Sequence, residues 1–208
     1  MHFQKCGFLM LLLVMGAANL RAQWVPVSAK MKQTVETMEN GKVVKVEHKE
    51  GNFYRTSDGS TLRYWTQIDG DEKLGGSGEL SDNKNLFHYS INFKTKQAFQ
   101  VGPRDQMPVT PDSELTSRSR LGDDFVEGIR CRRCAVFIGW PDGRREPSGE
   151  ICESIEYVLT LREDRHATQN GVTRHSVMEM YDIKLGVEPD RKLFDIEKNY
   201  TVFRPDKP

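Results

Sequence analysis

The residues best suited to chemistry in this sequence are its cysteines: Cys6, Cys131, Cys134 and Cys152. Cys131-Arg132-Arg133-Cys134 is a C-x-x-C element, and three chemistries use that spacing. A structural zinc site needs four ligands. A second C-x-x-C around Cys152 would need a cysteine at position 155, which is Ile155, and neither His166 nor His175 stands at a diagnostic spacing. A redox pair wants its C-x-x-C at a helix N-terminus, whereas Ala135-Val136-Phe137-Ile138 continue a strand. The third chemistry is a structural disulfide across a hairpin turning at Asp142-Gly143. Cys134 and Cys152 lie equally far from Gly143, so a cross-strand Cys134–Cys152 bridge is the expected pairing. Cys131 is then the odd thiol, although it could take the place of Cys134.

The remaining polar residues assemble no recognised catalytic constellation. His48 and His88 sit within strand-like alternation, and the five histidines do not cluster in sequence. Gly75-Gly76-Ser77-Gly78 is followed by Glu79, where a nucleophile elbow requires glycine, and it lacks the lysine of a phosphate loop. Asp123-Asp124 reads as part of a solvated face. The expectation is a non-enzymatic chain with no catalytic residue, no metal and no cofactor.

These residues must be positioned by β structure. Asn40-Gly41, Asp58-Gly59, Asp142-Gly143 and Asn170-Gly171 are tight-turn dipeptides, because both central positions tolerate positive φ. Between them, side chains alternate with the period of two that marks a strand. Val44, Val46 and His48 form one such series; Leu62, Tyr64, Thr66 and Ile68 a second; Phe87, Tyr89, Ile91 and Phe93 a third; Val177, Glu179, Tyr181 and Ile183 a fourth. Residues 29–39 fit a first strand better than a helix. The fold class is therefore mainly β, a curved antiparallel meander, with few short helices. A long meander must curl to hide its apolar face. Trp65, Phe87, Tyr89, Phe93 and Phe99 are the large side chains available to line that concave face, as core or as walls of a ligand site. Residues 70–85 and 102–124, rich in Gly, Asp, Ser and Pro, read as long loops.

The N-terminus carries Lys5, an apolar run over residues 8–15, then small residues through Ala22. That order is a secretory signal, and the run is too short to span a membrane. The expected organisation is a signal peptide at 1–22 and one mostly β domain at 23–208, exported to a periplasmic or extracellular space, with no integral membrane segment after cleavage. The sequence has 30 basic and 30 acidic residues. Losing Lys5 and Arg21 with the signal leaves a slight acidic excess, so nucleic acid is not an expected partner.

The C-terminal stretch Tyr181-Asp182-Ile183-Lys184-Leu185-Gly186-Val187-Glu188-Pro189-Asp190, continuing through Leu193-Phe194-Asp195-Ile196 to Asn199-Tyr200-Thr201-Val202, resembles the ending of a family of uncharacterised exported bacterial proteins. Phe53-Tyr54-Arg55-Thr56-Ser57-Asp58-Gly59 and the piece from Leu121-Gly122 through Val126-Glu127-Gly128-Ile129 are similar to upstream pieces of the same group. Its members look like the LolA-like half-barrel of periplasmic lipoprotein carriers. The resemblance implies an envelope protein that binds an apolar or lipidic ligand, or a lipidated partner, in a half-barrel cavity. The alternative is a structural or protein-interaction domain without a small-molecule ligand. On physical grounds, Pro189 ends the last strand, and Leu193 and Phe194 are expected to tuck back over the sheet with Ile196 and Tyr200 as a clasp.

Overall fold

The computed structural model describes residues 24–103, 117–139 and 143–204. The expected signal peptide falls outside these residues, as do most of the proline-containing stretch and Asp142 of the third turn dipeptide.

Twelve strands form one sheet. They are β1 (Val27–Glu39), β2 (Lys42–Arg55), β3 (Thr61–Ile68), β4 (Ser77–Asp82), β5 (Phe87–Asn92), β6 (Gln97–Pro103), β7 (Ser117–Val126), β8 (Ile129–Gly139), β9 (Arg145–Ser154), β10 (Leu159–Gln169), β11 (Val172–Leu185) and β12 (Thr201–Phe203). Their order across the sheet is β12-β6-β5-β4-β3-β2-β1-β11-β10-β9-β8-β7. Two meanders, β1–β6 and β7–β11, meet where β1 pairs with β11. Every pairing is antiparallel except that of β12 with β6. The outermost strands β12 and β7 do not pair with each other, so the sheet is open.

The turn dipeptides do what their chemistry dictates. Asn40-Gly41 and Asn170-Gly171 join β1 to β2 and β10 to β11, with all four residues at positive φ. Glu127-Gly128 joins β7 to β8 in the same way. Residues 70–85 differ from expectation, because β4 lies within them. Leu80 is the strand's one large inward residue, 1% exposed between Glu79 and Ser81, so no apolar alternation announces it. Gly78 completes the strand by letting Tyr64 and Phe93 close over it, their ring centroids 4.7 Å apart.

Two larger cores result, on different parts of the sheet, besides a small cluster of Cys134, Val136 and Ile151. The first gathers Val27, Ala29, Met31, Leu159, Leu161, Met178 and Met180 around Cys131 and Cys152. The second gathers Leu62, Leu80, Tyr89, Ile91 and Ala98 beneath the C-terminal segment. That segment folds as a single 3-10 turn, Arg191–Phe194, followed by α1 (Ile196–Asn199). Asp190 and Asp195 cap the two turns by accepting hydrogen bonds from the Lys192 and Lys198 amides. Leu193, Phe194 and Tyr200 pack on the second core, and Ile196 is buried within it. The clasp is thus formed, and β12 extends it along the sheet edge.

The cysteine pairing departs from expectation. The disulfide joins Cys131 to Cys152, and Cys134 is a buried free thiol. The cause is the register of β8 and β9. Arg133 stands opposite Cys152 and Cys134 opposite Ile151. Residues that pair directly share a face, and alternate residues along a strand share a face. Cys131 and Arg133 therefore lie on the Cys152 face, and Cys134 lies on the other. A bulge near the turn sets this parity. Val136 pairs with Gly149 and Phe137 with Pro147, which leaves Ser148 as the extra residue. Equal spacing from Gly143 misses that residue, and a one-residue slip exchanges the faces of a strand.

Candidate binding cavity

Between the first core and the inner surface of β2–β5 lies a cavity of about 390 Å³. Its walls include His88 on β5 and Thr160 and Glu163 on β10. These strands stand six places apart in the sheet order, which would separate them by about 30 Å in a flat sheet. The sheet must therefore curl for both to face one space, as a half-barrel does.

Strand alternation sorts the walls. Arg55, Thr61, Ser81 and His88 pair in succession across β2, β3, β4 and β5, so their side chains form one row facing the cavity. The neighbouring row, Tyr54, Leu62, Leu80 and Tyr89, faces the opposite way into the core beneath the clasp. This part of the sheet is covered on both sides, by the clasp on one and by the cavity on the other. The apolar part of the lining is Phe53, on β2 beside Arg55, with Leu159, Met178 and Met180 opposite on β10 and β11, where Thr160 and Glu163 add polar groups. The polar groups of the lining are largely self-satisfied. Arg63 pairs with Glu79 at 2.7 Å, Ser81 shares a hydrogen bond with His88 at 2.9 Å, and Glu163 pairs with Arg165 at 2.8 Å.

Arg55 is the exception. It is only 3% exposed. Its Nε and Nη2 donate to the Val25 carbonyl at 3.1 and 3.0 Å. Nη2 also donates to the Tyr157 carbonyl at 2.6 Å, and Nη1 donates to the Val158 carbonyl at 2.8 Å. The Trp24 indole stacks on the guanidinium, 5.2 Å from its carbon to the ring centre. Burial pulls the Arg55 pKa down, yet a guanidinium stays protonated in proteins. The side chain thus ties the N-terminal segment and the β9–β10 turn to the end of β2.

The five aromatic residues singled out as possible ligand contacts are spread over both faces, and none of them lines this cavity. Phe87, Tyr89 and Phe93 pack beneath the clasp. Trp65 lies partly buried against the first core. Phe99 pairs with Ser90 on the other face from Tyr89, half-exposed, and stacks on Phe203 with ring centres 5.0 Å apart. Apart from Phe53, the residues that do face the cavity from β2–β5 are the polar partners in the same alternation. Period two marks both sets equally, and nothing in the sequence says which face turns inward. Among the described residues, no group of three or more His, Cys, Asp or Glu side chains is placed to hold a metal. No helix among them is long and apolar enough to cross a membrane.

The fold and site together define an open, curved antiparallel half-barrel with a partly apolar internal cavity. No family model matches the chain, and no curated protein matches it in sequence. Among solved structures, a DUF1329 family protein from Desulfovibrio piger is similar at 11% identity and a TM-score of 0.38, over 87% of this chain and 93% of that one. A LolA superfamily protein from Nitrosomonas europaea is similar at 11% identity and a TM-score of 0.35, over 79% and 88%. The Mycobacterium tuberculosis lipoprotein LppX is similar at 10% identity and a TM-score of 0.33, over 77% and 88%.

Proposed function

We propose that this chain is an exported, non-enzymatic binding protein that holds an apolar or lipidic ligand, or the acyl group of a lipidated partner, in its half-barrel cavity. The observation that carries this reading is the cavity of about 390 Å³ with Phe53, Leu159, Met178 and Met180 in its lining. Small-molecule sites are concave, largely apolar and about 300–1,000 Å³ in volume. Methionines suit such a wall because their flexible thioethers adapt to varied apolar shapes. The Cys131–Cys152 bridge supports export, since disulfides persist in oxidising compartments.

The test is native mass spectrometry of the chain purified from an oxidising compartment, with solvent extraction of whatever co-purifies. One equivalent of an amphiphile per chain is expected. Its occupancy should fall in Met178→Glu, provided circular dichroism shows the fold retained. A chain that carries no amphiphile and takes up none from mixed phospholipid vesicles would overturn the reading. It would leave a domain that works through protein contacts at its surface.

A further inference from the structure

We infer that the ligand of this cavity carries an anionic head on its apolar chain, and that the head is bound by the Arg55 guanidinium. The inference rests on the reading of the cavity as a binding site and names the ligand class that the site selects. Three observations converge on it. Arg55 is 3% exposed and belongs to the cavity wall, so the cavity is its route to a ligand. Its hydrogen-bond partners among the described residues are the three carbonyls of Val25, Tyr157 and Val158. Carbonyl dipoles solvate a cation, but they bring no net negative charge. A guanidinium has five N–H donors. Those bonds engage the Nε donor, both Nη2 donors and one Nη1 donor, which leaves one Nη1 donor over.

The other ions of the wall make the contrast. Glu79 is bound to Arg63 and Glu163 to Arg165. No carboxylate among the described residues lies within ion-pair distance of Arg55. A buried charge without a counter-charge is costly, and nearby ionic partners relieve that cost. The lining also holds Phe53, Leu159, Met178 and Met180. A molecule filling the space therefore meets these apolar side chains and one cation without a counter-charge. An alkyl chain ending in a carboxylate or a phosphate monoester satisfies both, and an uncharged or cationic amphiphile does not.

The experiment is isothermal titration calorimetry of the intact chain, below micelle concentrations and at neutral pH. The probes are decanoate, decyl phosphate, decan-1-ol and, as heads without chains, acetate and inorganic phosphate. At least one decyl anion is expected to bind about tenfold or more tightly than decan-1-ol, the size of one charge-assisted hydrogen bond. Whichever anion is tighter tells a carboxylate ligand from a phosphate one. Acetate and phosphate should bind far more weakly. In Arg55→Gln the ratio of anion to alcohol should fall towards one, and in Arg174→Gln, at an exposed position outside the cavity lining, it should persist.

Equal binding of anion and alcohol overturns the inference while the cavity still binds apolar chains. Binding of none of the decyl compounds overturns the underlying reading instead. A preference that survives in folded Arg55→Gln places the anion elsewhere and also overturns the inference. Should Arg55→Gln not fold, the Arg55 Nη1–H resonance of the unaltered chain, read at low temperature, decides. It should shift with the decyl anion and stay with decan-1-ol, and an unmoved resonance under saturating anion counts against the assignment.

Discussion

Cys131 and Cys152 lie on one face of the β8–β9 pair with their Cα atoms 5.4 Å apart, while Cys134, only three residues from Cys131, faces the other way. The bonded sulfurs belong to the first core, with Val126, Leu159 and Leu161. Cys134 belongs to a separate cluster with Val136 and Ile151. The C-x-x-C spacing thus divides its two cysteines between opposite faces. Peptide mapping without reduction should recover a fragment linking Cys131 to Cys152. Among these three cysteines, denaturation should expose the Cys134 thiol alone to alkylation. The bridge closes a loop with a sequence separation of 21, for which chain entropy predicts roughly 3 kcal/mol of stabilisation. Cys152→Ala should therefore be much more damaging than Cys134→Ala, and equal effects would contradict the pairing.

How far the sequence discloses this molecule follows from what alternation can encode. Leu62, Tyr64, Phe87, Tyr89 and Ile91 announce strands because apolar residues alternate with polar ones, and those strands are present. Asn40-Gly41 and Asn170-Gly171 announce hairpins because their backbone demands positive φ. Alternation is silent about which face turns inward when both faces are covered. The aromatic row accordingly went under the clasp, and the cavity took the polar row of Arg55, Thr61, Ser81 and His88. It is equally silent about a bulge such as the one at Ser148, which decides the cysteine faces. Arg55 is legible only as a basic residue near a turn. Its importance comes from carbonyls on segments about 30 residues before it and 100 residues after it in sequence.

The clasp gives a stability prediction that separates its members. Ile196 is 6% exposed in the second core, whereas Leu193 and Phe194 are partly buried. Ile196→Ala should cost about 2–4 kcal/mol, as buried Ile truncations do. Phe194→Ala should cost less than the roughly 3–5 kcal/mol of a fully buried Phe. Chemical denaturation of both variants checks the order. If Ile196→Ala unfolds at the parent's midpoint, α1 does not hold the sheet.

A pH dependence follows from His175. Its Nε2 lies 3.0 Å from Asp164 and its Nδ1 3.4 Å from Glu36, across three adjacent strands, with His166 paired opposite. Burial alone lowers the imidazole pKa, but hydrogen bonds and charge from Asp164 and Glu36 outweigh it and raise the value. A histidine whose folded pKa is raised stabilises the fold fully below its unfolded pKa of about 6.5. That contribution fades as pH rises through the folded value. The stability gap between the parent and His175→Gln should therefore be larger near pH 6 than near pH 9. Urea denaturation at both values measures it, and a gap that grows with pH would show the wrong sign.

Two glycines should fail for different reasons, and the difference tests the packing around β4. Gly78 has no positive φ to protect, so alanine costs nothing in backbone conformation there. A Cβ at that position would meet the Arg63 carbonyl oxygen, the Phe93 ring and the Tyr64 Cβ, each at 2.7 Å. One of those contacts is backbone within a paired strand, so it cannot rotate away. The two rings also pack against each other and against the clasp through Tyr200. Overpacking of this kind costs about 1–3 kcal/mol, and relief would require β4 to move off β3. Gly41 is the reverse case, with a φ of +74° and open space where a Cβ would go. Gly41→Ala should cost roughly 1 kcal/mol from the left-handed backbone alone, with no change in packing. Near-ultraviolet circular dichroism should therefore change in Gly78→Ala, where tyrosine packing is disturbed, and stay the same in Gly41→Ala. An unchanged spectrum in Gly78→Ala together with parental stability would mean that Tyr64 and Phe93 do not close over β4.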